Sequence, residues 1–241
     1  MEQLIRGAET FGLRLEPVQV EAFRAYRDEL IAWSARFNLT TVTDPAQIEA
    51  RHFLDSLSVL QAEEALQALA APAARAIDVG SGAGFPGIPL AIAFPQVQMT
   101  LLEATGKKVD FLRYVTGRLS LERVTAVHGR AEDLGHDPAH REQYNLALAR
   151  AVAALPVVAE YALPFCRPEG WLVAQRGPDG DAEARAAVRA IGLLGGALLR
   201  VERVRVPGLP TGPTLVVIRK ERPTPGAYPR RAGMPSKRPL K

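Results

Sequence analysis

A glycine-rich loop directly after a short apolar run is the feature that most limits how this chain can fold. The run Ala76–Val79 ends at Gly80, glycines alternate with other residues up to Gly84, and an apolar helical pattern begins at Ile88. An apolar run without polar alternation is typical of a strand buried on both faces of a parallel sheet. Glycines between such a strand and a helix let the backbone approach a ligand. The loop therefore predicts a strand–loop–helix unit in a ligand-binding α/β sheet.

The segments after this loop alternate between strand and helix patterns, which predicts a doubly wound α/β sheet. Strands are expected at Ala76–Val79, Met99–Glu103, Val124–His128, Leu146–Ala149 and Trp171–Gln175. Helices are expected at Ile88–Phe94, Lys107–Leu119, Leu155–Phe165 and Asp181–Leu194. The turn-rich stretch Pro207–Pro213 then separates Ala197–Val206 from Thr214–Arg219. This arrangement predicts an antiparallel hairpin that closes a seven-stranded, mostly parallel sheet.

A helical extension is expected before the sheet. Large apolar residues recur at steps of three and four from Phe23 to Phe37, as on one face of a helix. Asp44 and Pro45 then have the residue types of a helix N-cap and first helical position. We therefore divide the chain into a helical extension (1–71), an α/β domain (72–220) and a proline-rich basic tail (221–241).

The composition is that of an ordinary globular protein, with 47% hydrophobic and 23% charged residues. It excludes a disordered chain, a collagen-like fibre and a disulfide scaffold. The single cysteine, Cys166, cannot form an internal disulfide, and we expect it to be a buried structural thiol. The first residues carry no secretion signal and no apolar run reaches about 18 residues, so we expect a cytoplasmic protein with no membrane contact. No feature indicates an oligomeric interface, and a monomer is expected.

The charge is unevenly distributed along the chain. Of 30 basic and 26 acidic residues, eight basic residues and one acidic residue lie in 219–241. This stretch carries a net charge of +7, which leaves −3 for residues 1–218. Five prolines and two glycines between Pro223 and Lys241 predict a flexible or extended arm. Such a tail is either an idle solvated terminus or an anchor for RNA phosphates, and its charge favours RNA.

Two cofactors use a loop of this kind. Gly82, Gly84 and Gly87 satisfy G-x-G-x-x-G, the dinucleotide fingerprint, with an acid at Glu103 where a ribose partner belongs. Counted from the end of the strand, Asp78 followed by alternating glycines is instead the loop of S-adenosylmethionine-dependent methyltransferases. The residue at the strand end favours the second interpretation, because an Asp78 carboxylate suits a cationic amino-acid group and repels a pyrophosphate. The closing hairpin favours it as well, and dinucleotide binding remains the alternative.

The chain resembles, over almost its whole length, the bacterial small-subunit ribosomal RNA guanine-N7 methyltransferases, also called the glucose-inhibited division protein B family. Four groups of residues carry the resemblance: Trp33 with Asn38-Leu39-Thr40 and Arg51-His52-x-x-Asp55-Ser56-Leu57; Asp78 to Pro89; Leu102-Glu103 with Lys107-Lys108 and Phe111-Leu112; and Arg130-Ala131-Glu132 with Ala149 to Ala153. The resemblance implies a class I S-adenosylmethionine-dependent methyltransferase fold, which is Rossmann-like. It also implies methyl transfer to guanine N7 in 16S ribosomal RNA, at guanosine 527, with the free RNA or the small-subunit particle as partner.

The resemblance implies roles for individual residues. Gly80, Gly82 and Phe85 would line the methionine part of the cofactor, and Glu103 would accept from its ribose hydroxyls. The cofactor set is Asp78, Gly80, Gly82, Phe85, Glu103, Ala104, Thr105, Ala131, Glu132 and Arg150, with Ala131 and Glu132 at the adenine. Arg150 is the candidate catalytic residue, since it ends a strand and can reach either cofactor or RNA phosphate. The RNA-binding candidates are Lys107, Lys108, Arg176, Arg222, Arg230, Arg231, Lys237 and Arg238.

The chemistry expected at the site is simple. Guanine N7 is an unprotonated lone pair, so its methylation needs positioning but no general base. His52 is either an RNA or cofactor contact or a partner of Asp55 on the same helix. His128, His136 and His140 lack metal-ligand spacing, and no metal is expected. A small-molecule methyltransferase, another nucleic-acid methyltransferase, a dinucleotide-dependent oxidoreductase and a non-enzymatic RNA-binding protein remain as alternatives.

Overall fold

Seven strands of one mixed sheet organise the chain, in a computed structural model that describes residues 1–150 and 152–241. The strands are β1 (Arg75–Val79), β2 (Gln98–Glu103), β3 (Val124–His128), β4 (Tyr144–Arg150), β5 (Cys166–Arg176), β6 (Gly196–Arg203) and β7 (Thr214–Lys220). Their order across the sheet is β3-β2-β1-β4-β5-β7-β6. Strands β1 to β5 pair in parallel, and β7 is antiparallel to both β5 and β6. The predicted doubly wound sheet and its closing hairpin are confirmed.

Helices cover both faces of this sheet. The α-helices are α1 (Glu2–Glu9), α2 (Pro17–Phe37), α3 (Pro45–Ile48), α4 (Asp55–Leu57), α5 (Glu63–Ala70), α6 (Gly87–Ala93), α7 (Gly106–Arg118), α8 (Ala131–Leu134), α9 (Leu155–Ala162), α10 (Gly180–Leu193) and α11 (Met234–Lys237). A π-helical turn (Glu49–Leu54) joins α3 to α4, and 3-10 turns follow at Ser58–Gln61 and Leu163–Phe165. Helix α3 begins as expected, because Asp44 Oδ1 accepts from the Gln47 backbone N–H at 2.8 Å. None of the described helices is both long enough and apolar enough to span a membrane.

The helical extension packs on one face of the sheet and shares its core. Phe23, Leu30 and Phe53 from the extension belong to the same buried cluster as Ala76 of β1 and Leu146 of β4. Helices α6 and α7 lie on this face, while α8, α9 and α10 contribute to a second cluster on the other face. The result is a three-layer α/β/α arrangement in which the extension is continuous with the core.

The sequence predicts a flexible or an extended tail, and the structure packs this tail against the protein. Thr224 and Pro229 are buried, and the Arg141 guanidinium donates to the backbone oxygens of Thr224 and Tyr228 at 2.6 and 2.9 Å. Arg230 forms a 2.6 Å ion pair with the fully buried Glu160 of α9. The flexible alternative is wrong because these contacts hold the tail, and composition left both alternatives open because prolines suit a chain that runs along a surface as well as one that is free in solvent. The tail is an ordered strap across the α8–α9 face.

Candidate active site

A cavity of about 430 Å³ opens at the carboxyl ends of β1, β2 and β4. The sheet order changes direction between β1 and β4, and open α/β sheets bind ligands at this position. The lining comes from both parts of the chain: Leu39, Thr40 and His52 from the extension; Gly80 to Ala83, Phe85, Glu103, Ala104, Lys108, Arg150 and Val152 from the sheet side. We call it the glycine-loop cavity. Its volume lies within the range of about 300–1,000 Å³ common for small-ligand sites.

The backbone of the loop explains its glycines. Gly80 has φ +76° and Gly82 has φ +59°, in the left-handed region that favours glycine. A Cβ at Gly80 would also lie 2.9 Å from a methyl carbon of Val152, so a side chain there would compete with the cavity wall. The loop thus exposes bare backbone to the cavity, as a site that holds a ligand against main-chain atoms requires.

Glu103 lies beside the loop, at the end of β2. One carboxylate oxygen accepts from the Gly82 N–H at 2.9 Å and the other from the Thr105 N–H at 2.8 Å. These bonds orient the side chain and leave lone pairs for further donors, because each carboxylate oxygen can accept more than one hydrogen bond. Glu103, the residue predicted to accept from the ribose, therefore lines the glycine-loop cavity, and Ala104 lies beside it in the cavity wall.

Asp78 differs from its expected place at the cofactor. Its side chain is fully buried behind the loop, and Oδ2 accepts from the Gly87 N–H at 2.9 Å. Burial raises the pKa of Asp78 to about 7, although the bond from Gly87 opposes the shift. Oδ1 has no hydrogen-bond partner among the described residues. Asp78 joins the end of β1 to the start of α6, and so it acts on the cavity through the shape of the loop.

A smaller cavity of about 150 Å³ continues from the first one past Gly80 and Ala104. Ala131 and Glu132 line it, which places both predicted adenine residues together. Glu132 is 5% exposed, and its Oε1 accepts from the Gly233 N–H of the tail at 2.8 Å. The tail therefore contacts the wall of the predicted adenine site.

Arg150, at the end of β4, connects the sheet to the extension. Its guanidinium forms a 2.9 Å ion pair with Asp55, and Nη2 lies 3.1 Å from His52 Nδ1. It also lies over the Phe85 ring, 5.4 Å from the centroid. The motif Arg51-His52-x-x-Asp55-Ser56 thus meets Arg150, and His52 and Asp55 are linked through this arginine and not directly as a local pair.

His52 is held as a neutral ring. Desolvation and the neighbouring Arg150 lower the pKa of His52 to about 4. Nδ1 lies 3.1 Å from the Arg150 guanidinium, which can only donate, and 3.1 Å from the Arg51 carbonyl, which can only accept, while Nε2 lies 2.8 Å from Thr40 Oγ1. The ring stacks on Phe85 with centroids 4.5 Å apart. Both ring nitrogens are engaged, so this histidine positions Phe85 and Arg150.

The predicted RNA-binding residues fall into two groups. Lys107, Arg222, Arg231, Lys237 and Arg238 are exposed, and Lys108 lines the glycine-loop cavity. Arg176 and Arg230 are instead paired within the protein, Arg176 with Glu183 at 2.7 Å and Arg230 with Glu160. Even Arg222 donates to the Gly192 carbonyl at 2.6 Å. The paired arginines are less available to phosphate than the sequence suggests.

The remaining candidates are structural. Cys166 is buried as predicted, and burial raises the pKa of its thiol to about 12. Among the described residues no three His, Cys, Asp or Glu side chains are grouped as metal ligands.

Three residues at the cavity or its loop were given no individual role from the sequence: Thr40, Val152 and Tyr26. The Tyr26 hydroxyl donates to the Ala83 carbonyl of the loop at 2.6 Å. Thr40 could have been found, because it lies within the resembling Asn-Leu-Thr motif.

The site fits S-adenosylmethionine. A nucleoside carrying an amino-acid chain needs a backbone cradle, an acceptor for two ribose hydroxyls and a recess for the base. Gly80, Glu103 and Ala131 supply these features in adjoining cavities. The seven-stranded sheet with its antiparallel β7 and this cavity define a class I methyltransferase fold of the S-adenosylmethionine-dependent type.

Comparisons with known proteins agree. The GidB family model, described as rRNA small subunit methyltransferase G, matches residues 19–207. Ribosomal RNA small subunit methyltransferase G of Roseiflexus castenholzii is 49% identical over 240 residues, covering 100% of both chains. The Alkaliphilus metalliredigens protein of the same name is 42% identical and covers 98% of this chain and 96% of its own. A Klebsiella pneumoniae structure described as an O-methyltransferase superposes with a TM-score of 0.55 at 14% identity, over 86% of this chain and 91% of its own.

The chain belongs to the rRNA small subunit methyltransferase G (GidB) family. The resemblance derived from the motifs is thereby confirmed. The Klebsiella structure supports the fold alone, because its sequence identity is low. Ala151, part of the motif that follows β4, lies outside the described residues.

Proposed function

We propose that this protein transfers a methyl group from S-adenosylmethionine to N7 of a guanine in 16S ribosomal RNA. The observation that carries the proposal is the glycine-loop cavity, in a chain similar over its full length to relatives named ribosomal RNA small subunit methyltransferase G. We further propose guanosine 527 as the target. When bound, the cofactor supplies an electrophilic methyl group on a sulfonium.

The contacts of the chain suit a reaction that depends on positioning. Glu103 already accepts from two backbone N–H groups, and the neutral His52 is engaged at both ring nitrogens. An attack by the N7 lone pair removes no proton, so neither side chain has to act as a general base. Holding N7 in line with the methyl group can supply on the order of 7–11 kcal/mol. Gly80, Gly82, Phe85 and Glu103 hold the cofactor in this proposal, while Ala131 and Glu132 take its adenine.

The RNA side of the proposal uses the exposed cations. Lys107 and Lys108 lie at the start of α7, beside the cavity, and are proposed to contact phosphate. Arg231, Lys237 and Arg238 would extend this contact from the tail. We also propose a cytoplasmic monomer, because small-subunit RNA is modified in that compartment and the cavity is complete within one chain.

A labelled-methyl assay tests the function. The protein is incubated with labelled S-adenosylmethionine and either free 16S RNA or small-subunit particles, and the RNA is digested to nucleosides. We expect 7-methylguanosine, mapped to guanosine 527. Another methylated nucleoside, or label on small molecules only, would contradict the proposal.

A pair of glycine variants tests whether the glycine-loop cavity binds the cofactor. Gly80→Ala introduces a side chain at a positive φ and against Val152, and it should lower cofactor affinity at least about tenfold. Gly117→Ala lies on α7, where no described atom is within 4 Å of the new carbon, and it should leave affinity unchanged. Isothermal titration with S-adenosylhomocysteine measures both affinities.

A further inference from the structure

A second cavity of about 310 Å³ lies at the carboxyl ends of β4 and β5. Asp55, Arg150, Gln175 and Arg176 line it, together with Gly177 and the turn at 211–213. Arg150 lines both this cavity and the glycine-loop cavity, so the two adjoin at its guanidinium. No role proposed above uses this space.

Two acceptor oxygens at this cavity have no donor among the residues that the structure describes. Gln175 is 3% exposed, and its Nε2 donates to the Asp55 backbone oxygen at 2.7 Å, while Oε1 has no partner among the described residues. Asp55 Oδ2 accepts from Arg150, and no described residue donates to Oδ1. Buried acceptors without donors are costly and therefore rare. Gln175 Oε1 is such a buried acceptor, whereas the Asp55 carboxylate is 14% exposed and can meet a donor that enters the cavity.

Guanine presents matching groups on one edge. Its Watson–Crick edge carries two donors, the N1–H and the exocyclic N2 amine, next to the O6 acceptor. Proteins read bases that are turned out of RNA through hydrogen bonds to this edge. Adenine has an acceptor at N1, so it would place a lone pair against the Asp55 carboxylate. An arginine beside two acceptors is therefore complementary to guanine.

We propose that this space, the base cavity, holds the target guanine by its Watson–Crick edge. Asp55 accepts from N1–H and the exocyclic amine, Gln175 Oε1 offers a further acceptor, and Arg150 donates to O6. The inference rests on the proposed function and names the part of the site that selects the base.

The position of Arg150 between the two cavities would direct guanine N7 towards the methyl group. In guanine, O6 lies between N1 and N7, and N7 is on the side away from the exocyclic amine. With N1 and N2 at Asp55 and O6 at Arg150, the N7 edge is directed towards the glycine-loop cavity, where the methyl group is delivered. Arg150 would then be a catalytic residue in the strict sense, since it touches the reacting base.

An inosine substitution tests the base cavity. The methylated guanine is first located in the wild-type reaction, and a ligated RNA is made with inosine at that nucleotide. Inosine lacks only the exocyclic amine. Losing a hydrogen bond to a charged acceptor should lower the wild-type kcat/KM about 10- to 100-fold. Asp55→Asn should reduce this guanine-to-inosine ratio to about 3 or less, because its amide turns a donor towards the base.

Two further variants separate recognition from folding. Gly177→Leu adds a side chain in the base cavity, where no described atom outside residue 177 and its chain neighbours lies within 4 Å of the new Cβ. The variant should therefore fold and bind S-adenosylhomocysteine normally. Its KM for RNA should rise about tenfold. Glu64→Gln breaks the 2.8 Å ion pair with Arg200, at a carboxylate that is 14% exposed like that of Asp55. This matched control should keep the wild-type guanine-to-inosine ratio.

The outcomes are distinguishable. If the wild-type protein makes no methylguanosine, the proposed function fails. If it does, an unchanged guanine-to-inosine ratio in Asp55→Asn overturns the base cavity. Should that variant not fold, an unchanged KM in Gly177→Leu overturns it equally.

Discussion

At the scale of single residues, Asp78 and Glu103 end neighbouring strands and have different surroundings. Glu103 faces the glycine-loop cavity and accepts two backbone N–H groups, whereas Asp78 is sealed behind the loop with one unpartnered oxygen. A Cβ at Gly87 would lie 2.8 Å from Asp78 Oδ2, which shows how tightly the loop closes over this carboxylate. The two acids therefore have separate tasks, one towards the ligand and one towards the backbone.

The raised pKa of Asp78 predicts a pH-dependent stability. Burial raises this pKa from 3.8 to about 7, so the folded protein binds the proton more tightly than the unfolded chain. The stabilisation is present at low pH and is lost as the pH rises from about 4 to about 7. Relative to Asp78→Asn, the wild-type free energy of unfolding should fall by about 2–5 kcal/mol between pH 4 and pH 8. Urea titrations of both proteins measure the difference, and a constant difference would contradict the expectation.

At the scale of elements, the π-helical turn Glu49–Leu54 places the extension against the loop. It presents His52 to Phe85 and buries Phe53 between α2 and the loop. The Phe53 ring lies 5.0 Å from Phe23 and 5.4 Å from Tyr26. The sequence pattern predicts a helix here, but a π-helical turn leaves no local signal, since it arises from tertiary packing.

Removing the Phe53 ring should loosen the extension and the cavity together. Phe53→Ala leaves a void among aromatic rings and should cost about 3–5 kcal/mol of unfolding free energy. Phe37→Ala removes the same ring from a position that is 41% exposed and should cost about 1 kcal/mol or less. Thermal or urea unfolding compares the two variants. Equal losses would show that the extension is not part of the core.

Strands could be predicted closely because burial on both faces leaves a sequence signal. Val124–His128 agrees at both ends, and the other parallel strands contain their predicted ranges. The residues that line the glycine-loop cavity and the smaller cavity beside it were partly predictable. Gly80, Glu103 and Ala131 lie at or just after the carboxyl ends of strands, and these ends share one edge of the sheet. The role of Asp55 was not, since its partners Arg150 and Gln175 are 95 and 120 residues away.

At the scale of the whole molecule, the tail runs over the α8–α9 face and reaches the predicted adenine site. Arg230 pairs with Glu160, the Gly233 N–H donates to Glu132, and the Tyr161 and Ser236 hydroxyls are 2.8 Å apart. The excess of tail charge is thus partly neutralised inside the protein. The fully buried Lys220 likewise lies 3.2 Å from Glu142.

Variants of two adjacent arginines distinguish the structural role of the tail from the effect of its charge. Arg230→Ala removes the guanidinium from the buried Glu160 and leaves it only the backbone N–H of residue 230, so the tail should loosen and the Gly233 N–H should exchange at least about tenfold faster. Arg231→Ala removes the same charge one residue later from an exposed side chain and should leave exchange unchanged. Hydrogen-exchange mass spectrometry of residues 222–241 compares them. Equal exchange in the two variants would show that the ion pair does not hold the tail.

The exposed tail cations should appear in the salt dependence of RNA binding. Replacing Arg231, Lys237 and Arg238 with Gln removes three potential phosphate contacts and no ion pair found among the described residues. The slope of log affinity against log salt should become shallower by about 2, at about 0.7 per single-strand contact. Binding of 16S RNA between low and moderate salt measures it. An unchanged slope would mean that the tail is purely structural.

The layered α/β class, the loop at the end of β1 and the family could be predicted from the amino-acid sequence, because they depend on local patterns of burial and on contiguous motifs. Tertiary structure alone decided which charges are free. Asp78 lies behind the loop, Arg150 joins two cavities and Arg230 is paired, all through contacts between residues far apart in the chain. The type of a charged residue limits what its side chain can bind. Its neighbours in the folded protein decide whether it binds a ligand or another group of the protein.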